Sequence, residues 1–112
     1  MAIYSNSVIS KDNLLIISGQ TPEIKGDVSD KIEAQVEVVL NKILEIITEH
    51  DYQKENLLKM TVYITNVSYL ASVREVFTKV LGSIKPAMTL VVISELINPK
   101  FKIEIDATVD YN

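Results

Sequence analysis

Phe101-Lys102-Ile103-Glu104-Ile105-Asp106-Ala107-Thr108-Val109 alternates apolar and polar residues without interruption. Successive side chains of a strand point to opposite faces, so this stretch has one apolar face and one face of Lys102, Glu104, Asp106 and Thr108. Leu58–Thr65 repeats the pattern: Leu58, Met60, Val62 and Ile64 alternate with Lys59, Thr61, Tyr63 and Thr65. The polar faces are too hydrophilic for the interior of a single chain and suit a wet subunit interface.

Other elements follow from spacing. Asn13–Ser18 is a short apolar run ending at Gly19, a strand signal. Ile3–Ile9 is a weaker first strand, paired with it through the turn Ser10–Asn13; Thr21–Gly26 reads as a loop. From about Val28 to His50, Ile32, Val36, Val39, Leu40, Ile43, Leu44 and Ile47 recur at spacings of three and four, one stripe of a helix. Asp30 with Glu33 suggests a capping box at its start, and His50 suits its C-terminal end. Leu70, Val73, Phe77, Val80 and Leu81 give a second helix ended by Gly82. Leu90–Ile93 is nearly continuous and β-branched, as in a strand covered on both faces. The order is ββαβαββ, with two helices for one face of the sheet: a two-layer α+β domain over residues 1–112.

At 112 residues the chain has room for one modest core, and its 47% hydrophobic content leaves apolar surface that favours an oligomer. There is no cysteine, which excludes disulfides and thiolate chemistry, and one histidine with no cysteine makes a zinc site improbable. No metal or other cofactor is implied. The net charge is −4, with ten scattered lysines and one arginine, Arg74. Phosphate neutralisation supplies most nucleic-acid affinity, so nucleic-acid binding is disfavoured. No apolar run reaches the ~18 residues of a membrane span, and the first residues lack a signal-peptide pattern; the expectation is a cytoplasmic protein.

Four motifs, in order, resemble the Rid family (YjgF-like, reactive intermediate/imine deaminases, also labelled endoribonuclease L-PSP). They are Ile16-Ile17-Ser18-Gly19-Gln20, Lys59–Asn66, Pro86-Ala87-Met88-Thr89 and Ile103-Glu104-Ile105-Asp106-Ala107. The resemblance runs from Tyr4 to about Val109, with one extra residue in the Ile97–Lys100 loop. It implies a chorismate-mutase-like fold, a homotrimer around a central barrel, and small-molecule clefts between subunits. In the deaminases an arginine grips the carboxylate of a 2-imino acid and a glutamate positions the attacking water. Carried over, the cleft tyrosine is Tyr4 and the Ser-Gly pair is Ser18 and Gly19. Arg74 stands where the family has asparagine, Met88 where it has the arginine, and Thr89 where it has serine. Asp106 takes the place of the water-positioning glutamate.

Met88 weighs most. A guanidinium holds a carboxylate through paired hydrogen bonds, each worth about 1.5–3 kcal/mol. A thioether offers little beyond apolar contact, so carboxylate affinity would drop by roughly two to four orders of magnitude. Arg74 either reaches the cleft from another wall, as an alternative anion site, or is a solvated charge on the second helix. Asp106 either acts on a water or makes interchain salt bridges. Three functions follow in order: metabolite binding without efficient deaminase activity, an imine or enamine hydrolase of shifted specificity using Asp106 and Arg74, and an endoribonuclease.

Overall fold

The computed structural model describes residues 3–111. Five strands form one mixed sheet: β1 (Ser7–Ile9), β2 (Leu15–Gln20), β3 (Leu57–Ile64), β4 (Ala87–Val92) and β5 (Ile103–Val109). Their order is β1-β2-β5-β3-β4. β5 pairs antiparallel with β2 and β3, and β4 pairs parallel with β3. The helices are α1 (Ile32–Glu49) and α2 (Leu70–Leu81), with short 3-10 turns before β3 and α2.

Alternation sets the layers. Ile103, Ile105, Ala107 and Val109 of β5 are buried beneath the helices, as are Met60, Val62 and Ile64 of β3. Val36, Val39, Leu40, Ile43 and Ile47 of α1 pack on them, with Val73, Val76 and Leu81 of α2. The opposite face of β5 and β3 is only partly buried and carries the polar set expected. The two-layer α+β architecture is therefore the one the alternation implies. Among the described residues, no helix is long and apolar enough to cross a membrane.

Four local expectations need correction. The first strand is only Ser7–Ile9, so Tyr4 precedes it, next to Ser5 and Asn6, whose carbonyls accept hydrogen bonds from Ser18 of β2. The capping box does not form: Lys31 occupies the cap position without a side-chain bond, and Glu33 instead accepts from the Ser72 hydroxyl at 2.7 Å. In β3, a register shift between Leu57 and Lys59 turns Leu57 inward and leaves Leu58 exposed. Finally, Leu90–Ile93 is not covered on both faces. Its strand, Ala87–Val92, is the sheet edge beyond β3, and Val91 and Val92 are exposed in the single chain.

Gln35 joins the layers. Its buried amide donates to the carbonyls of Ser29 (2.7 Å) and Lys100 (2.9 Å) and accepts from the Lys102 N–H (2.8 Å). This one side chain satisfies three backbone groups in two loops, where no ladder reaches them.

Candidate functional site

All of the sequence-derived site residues except Thr89 fall into two groups on different parts of the chain. The first surrounds a bulge in β2. Ile17 pairs with Ala107 but Gln20 with Ile105, so three residue steps on β2 match two on β5. The extra residue lies at Ser18–Gly19, and such bulges bend a strand and re-aim its side chains. A cavity of about 680 Å³ opens here, lined by Tyr4, Ser18, Gly19, Glu104, Asp106 and Thr108 among others.

Ser18 anchors the segment that brings Tyr4 to this cavity. Its hydroxyl donates to the Ser5 carbonyl at 2.6 Å and its N–H to the Asn6 carbonyl at 2.9 Å. The buried Gln20 adds a bond from its amide to Asn6 Oδ1 at 2.8 Å. Both Ser18 donors thus fix the wall of the cavity, and the Tyr4 ring is left exposed.

Gly19 has a steric role. A Cβ there would overlap the Glu104 carboxyl, with the Glu104 Cδ only 2.9 Å away. Glu104 therefore rests on the bare glycine backbone and is half-buried. Burial pushes its carboxyl pKa up, and the charge of Asp106 adds to the rise. Asp106 accepts a hydrogen bond from the Tyr63 hydroxyl across the strand pair at 3.4 Å. Burial first, then Asp106, raises the Tyr63 phenol in turn.

Sequence reading passed over Glu104 in favour of Asp106. Both belong to the same polar stripe, and alternation alone cannot say which one meets the bulge. The signal available was Gly19, whose missing side chain leaves room for a larger neighbour.

The second group lies between α2 and β4, in a groove of about 510 Å³. Arg74 and Met88 both line it, with Phe77, Leu81, Ile84 and Leu90. Met88 is 42% exposed, so it is a wall residue and not part of the core. It pairs with Met60, which faces the helices, and so points to the helix side of the edge strand. Thr89 joins neither group. It faces the open side, accepting from the Lys59 ammonium at 3.0 Å. His50 caps the C-terminal end of α1, its Nδ1 lying 2.9 Å from the Ile46 carbonyl. Among the described residues no group of histidines, aspartates and glutamates is arranged to hold a metal ion.

Two helices packed on one face of a mixed five-stranded sheet place the chain in the chorismate-mutase-like class of α+β folds. Residues 1–111 match the family described as endoribonuclease L-PSP, and the chain belongs to this family, the YjgF/Rid proteins. A RutC family protein of Pyrococcus horikoshii is 35% identical over 112 residues, covering 93% of this chain and 83% of its own. Reactive Intermediate Deaminase A, chloroplastic, of Arabidopsis thaliana is 29% identical over 109 residues, 94% of this chain and 58% of its own. The crystal structure of the YjgF gene product of Escherichia coli superposes with a TM-score of 0.86 at 27% identity, covering 99% of this chain and 91% of that one.

Proposed function

We propose that the protein is a single-domain homotrimer that binds small metabolites in clefts between subunits, without efficient 2-imino acid deaminase activity. The observation that carries this reading is the separation of the two half-sites. Tyr4, Ser18, Gly19 and the carboxylates line the β2–β5 cavity, whereas Arg74 and Met88 line the α2–β4 groove. Neither half alone combines a carboxyl group with a cation, and a neighbouring copy that brings its groove against the cavity would complete the constellation. The half-polar open face and the exposed edge strand supply surface for that contact. Met88 in the groove wall replaces a guanidinium clamp with apolar surface, which removes the main grip on an amino-acid-derived carboxylate.

A hydrolase of shifted specificity is the second reading, and the raised carboxyl of Glu104 favours it. In such a reaction, water adds to the imine carbon while the nitrogen takes a proton. The carbinolamine then collapses to a carbonyl compound and ammonia. A carboxyl that keeps its proton above the ordinary range can supply and recover that proton. In this version Glu104 takes the role first assigned to Asp106, its carboxyl raised first by burial and then by the charge of Asp106. Endonuclease chemistry, named in the family description, has less support: the chain carries net charge −4, one histidine and one arginine.

The test is imine hydrolysis by wild type beside Met88→Arg, with imines generated in situ from several amino acids. An inactive wild type and an active Met88→Arg support the binding reading. A wild type already active overturns it in favour of the hydrolase. A cytoplasmic location belongs to the same reading and is checked by fractionation of cells expressing the native chain.

A further inference from the structure

The groove between α2 and β4 has a composition that sets it apart from the rest of the surface. The chain holds 15 acidic residues against 11 basic ones. None of the acidic residues lines this groove, whereas Arg74 and Lys85 both do. Among the described residues, neither cation has an ion pair or a side-chain hydrogen bond; Thr78 bonds only to the Arg74 carbonyl, at 2.9 Å. Val73, Phe77, Leu81, Ile84, Met88 and Leu90 line the same groove as an apolar trough. Its volume of about 510 Å³ is in the range of small-molecule sites.

A cationic rim over an apolar trough fits a ligand with one anionic end and one apolar end. An inorganic anion would leave the trough wet, and a neutral hydrocarbon would leave both cations unused. An amino acid or its imine would place a second polar group against the trough. We infer that this groove binds a monocarboxylate bearing an aliphatic tail, its carboxylate on the Arg74 guanidinium with Lys85 alongside and its tail along Phe77, Ile84 and Met88. A planar guanidinium can meet both carboxylate oxygens, which makes Arg74 the principal contact. Met88 has a second meaning here: its flexible thioether adapts to tails of differing length. The inference deepens the cleft reading above, since it names the ligand class for the wall that Arg74 and Met88 provide.

The experiment is calorimetric titration with octanoate, octanol and octylamine below their aggregation limits, repeated with Arg74→Gln. The Met88 methyl resonance is followed by carbon-13 NMR and the mass by light scattering on the same samples. Octanoate should bind about tenfold or more tightly than octanol, and octylamine should not bind. Arg74→Gln should abolish the preference, and octanoate should shift Met88 while leaving the buried Met60 in place. Equal binding of octanol, unchanged octanoate affinity in Arg74→Gln, an unmoved Met88 or no binding at millimolar octanoate would each overturn the inference. A monomeric protein that still binds octanoate through Arg74 keeps this inference and sinks the cleft reading. A trimer that does not bind octanoate does the reverse.

Discussion

The carboxyl of Glu104 occupies the space that a side chain at position 19 would fill: a Cβ on Gly19 would lie 2.9 Å from its Cδ. The bulge in β2 and the glycine within it therefore determine where Glu104 can rest. Gly19→Ala should displace the carboxyl toward solvent at little cost to the fold, because the overlapping atoms are the flexible end of a side chain. Carbon-13 titration of the Glu104 carboxyl is the measurement. Its pKa should drop toward the ordinary value in Gly19→Ala, and an unchanged pKa would mean that Gly19 does not seat it.

The same carboxyl makes stability depend on pH. Its folded-state pKa is raised above the ordinary 4.5, chiefly by burial and then by Asp106. Between those two values the folded chain binds more protons than the unfolded chain. Stability is thus greater below the ordinary pKa and is lost as pH rises through the folded one. Glu104→Gln should leave Tm unchanged near pH 4 and raise it at pH 7 to 8. Thermal unfolding at both pH values checks this; a lowered Tm at pH 7 would count against a destabilising charge.

The layers were legible in the sequence because period-2 and period-3.6 patterns depend only on which side is buried. β5 and α1 show this, since nearly every residue of their apolar stripes is in the core. Irregular features were not legible. The shift at Leu57–Lys59 reverses the roles of Leu57 and Leu58, and two adjacent leucines give no sign of which turns inward. The two-sided cover expected of Leu90–Ile93 is absent in one chain because continuous β-branching marks the strand's final environment, including any surface met in an assembly. The cleft residues divided into two groups because motif order does not reveal which part of a chain completes a site.

Leu57 and Leu58 make the register shift in β3 testable. Leu57→Ala should cost about 2–5 kcal/mol, the range for a buried leucine. Leu58→Ala, at a position 45% exposed, should cost about 1 kcal/mol or less. Urea unfolding of the two variants gives the comparison, and equal losses would contradict the register shift.

Gln35 is the polar counterpart. Gln35→Leu keeps the volume but removes bonds to Ser29, Lys100 and Lys102, leaving three backbone groups without this protein partner. At about 1–3 kcal/mol for each unsatisfied group, and with water reaching some of them, a loss of about 2–4 kcal/mol is expected. Urea unfolding measures it, and a loss under about 0.5 kcal/mol would show that the loops do not depend on this side chain.

In the homotrimer proposed above, the open face of the sheet is the surface a neighbouring copy would cover. Val91 lies beside Tyr63 on this face, 38% exposed on an edge strand whose outer backbone groups have no partner within the sheet. Burying it against a neighbour would satisfy an apolar, β-branched strand that one chain leaves half in water. Wild type should therefore scatter light as three times the 12.6 kDa chain mass. Val91→Lys places a charge where the neighbour would sit, and burying an unpaired ammonium is costly. Its mass should drop to that of one chain, with far-UV circular dichroism retained. Glu45→Lys, on the exposed side of α1, changes charge by more and should remain trimeric. If Val91→Lys stays trimeric while Glu45→Lys dissociates, the helices and not the open sheet face form the contact, and the placement of the clefts must change with it.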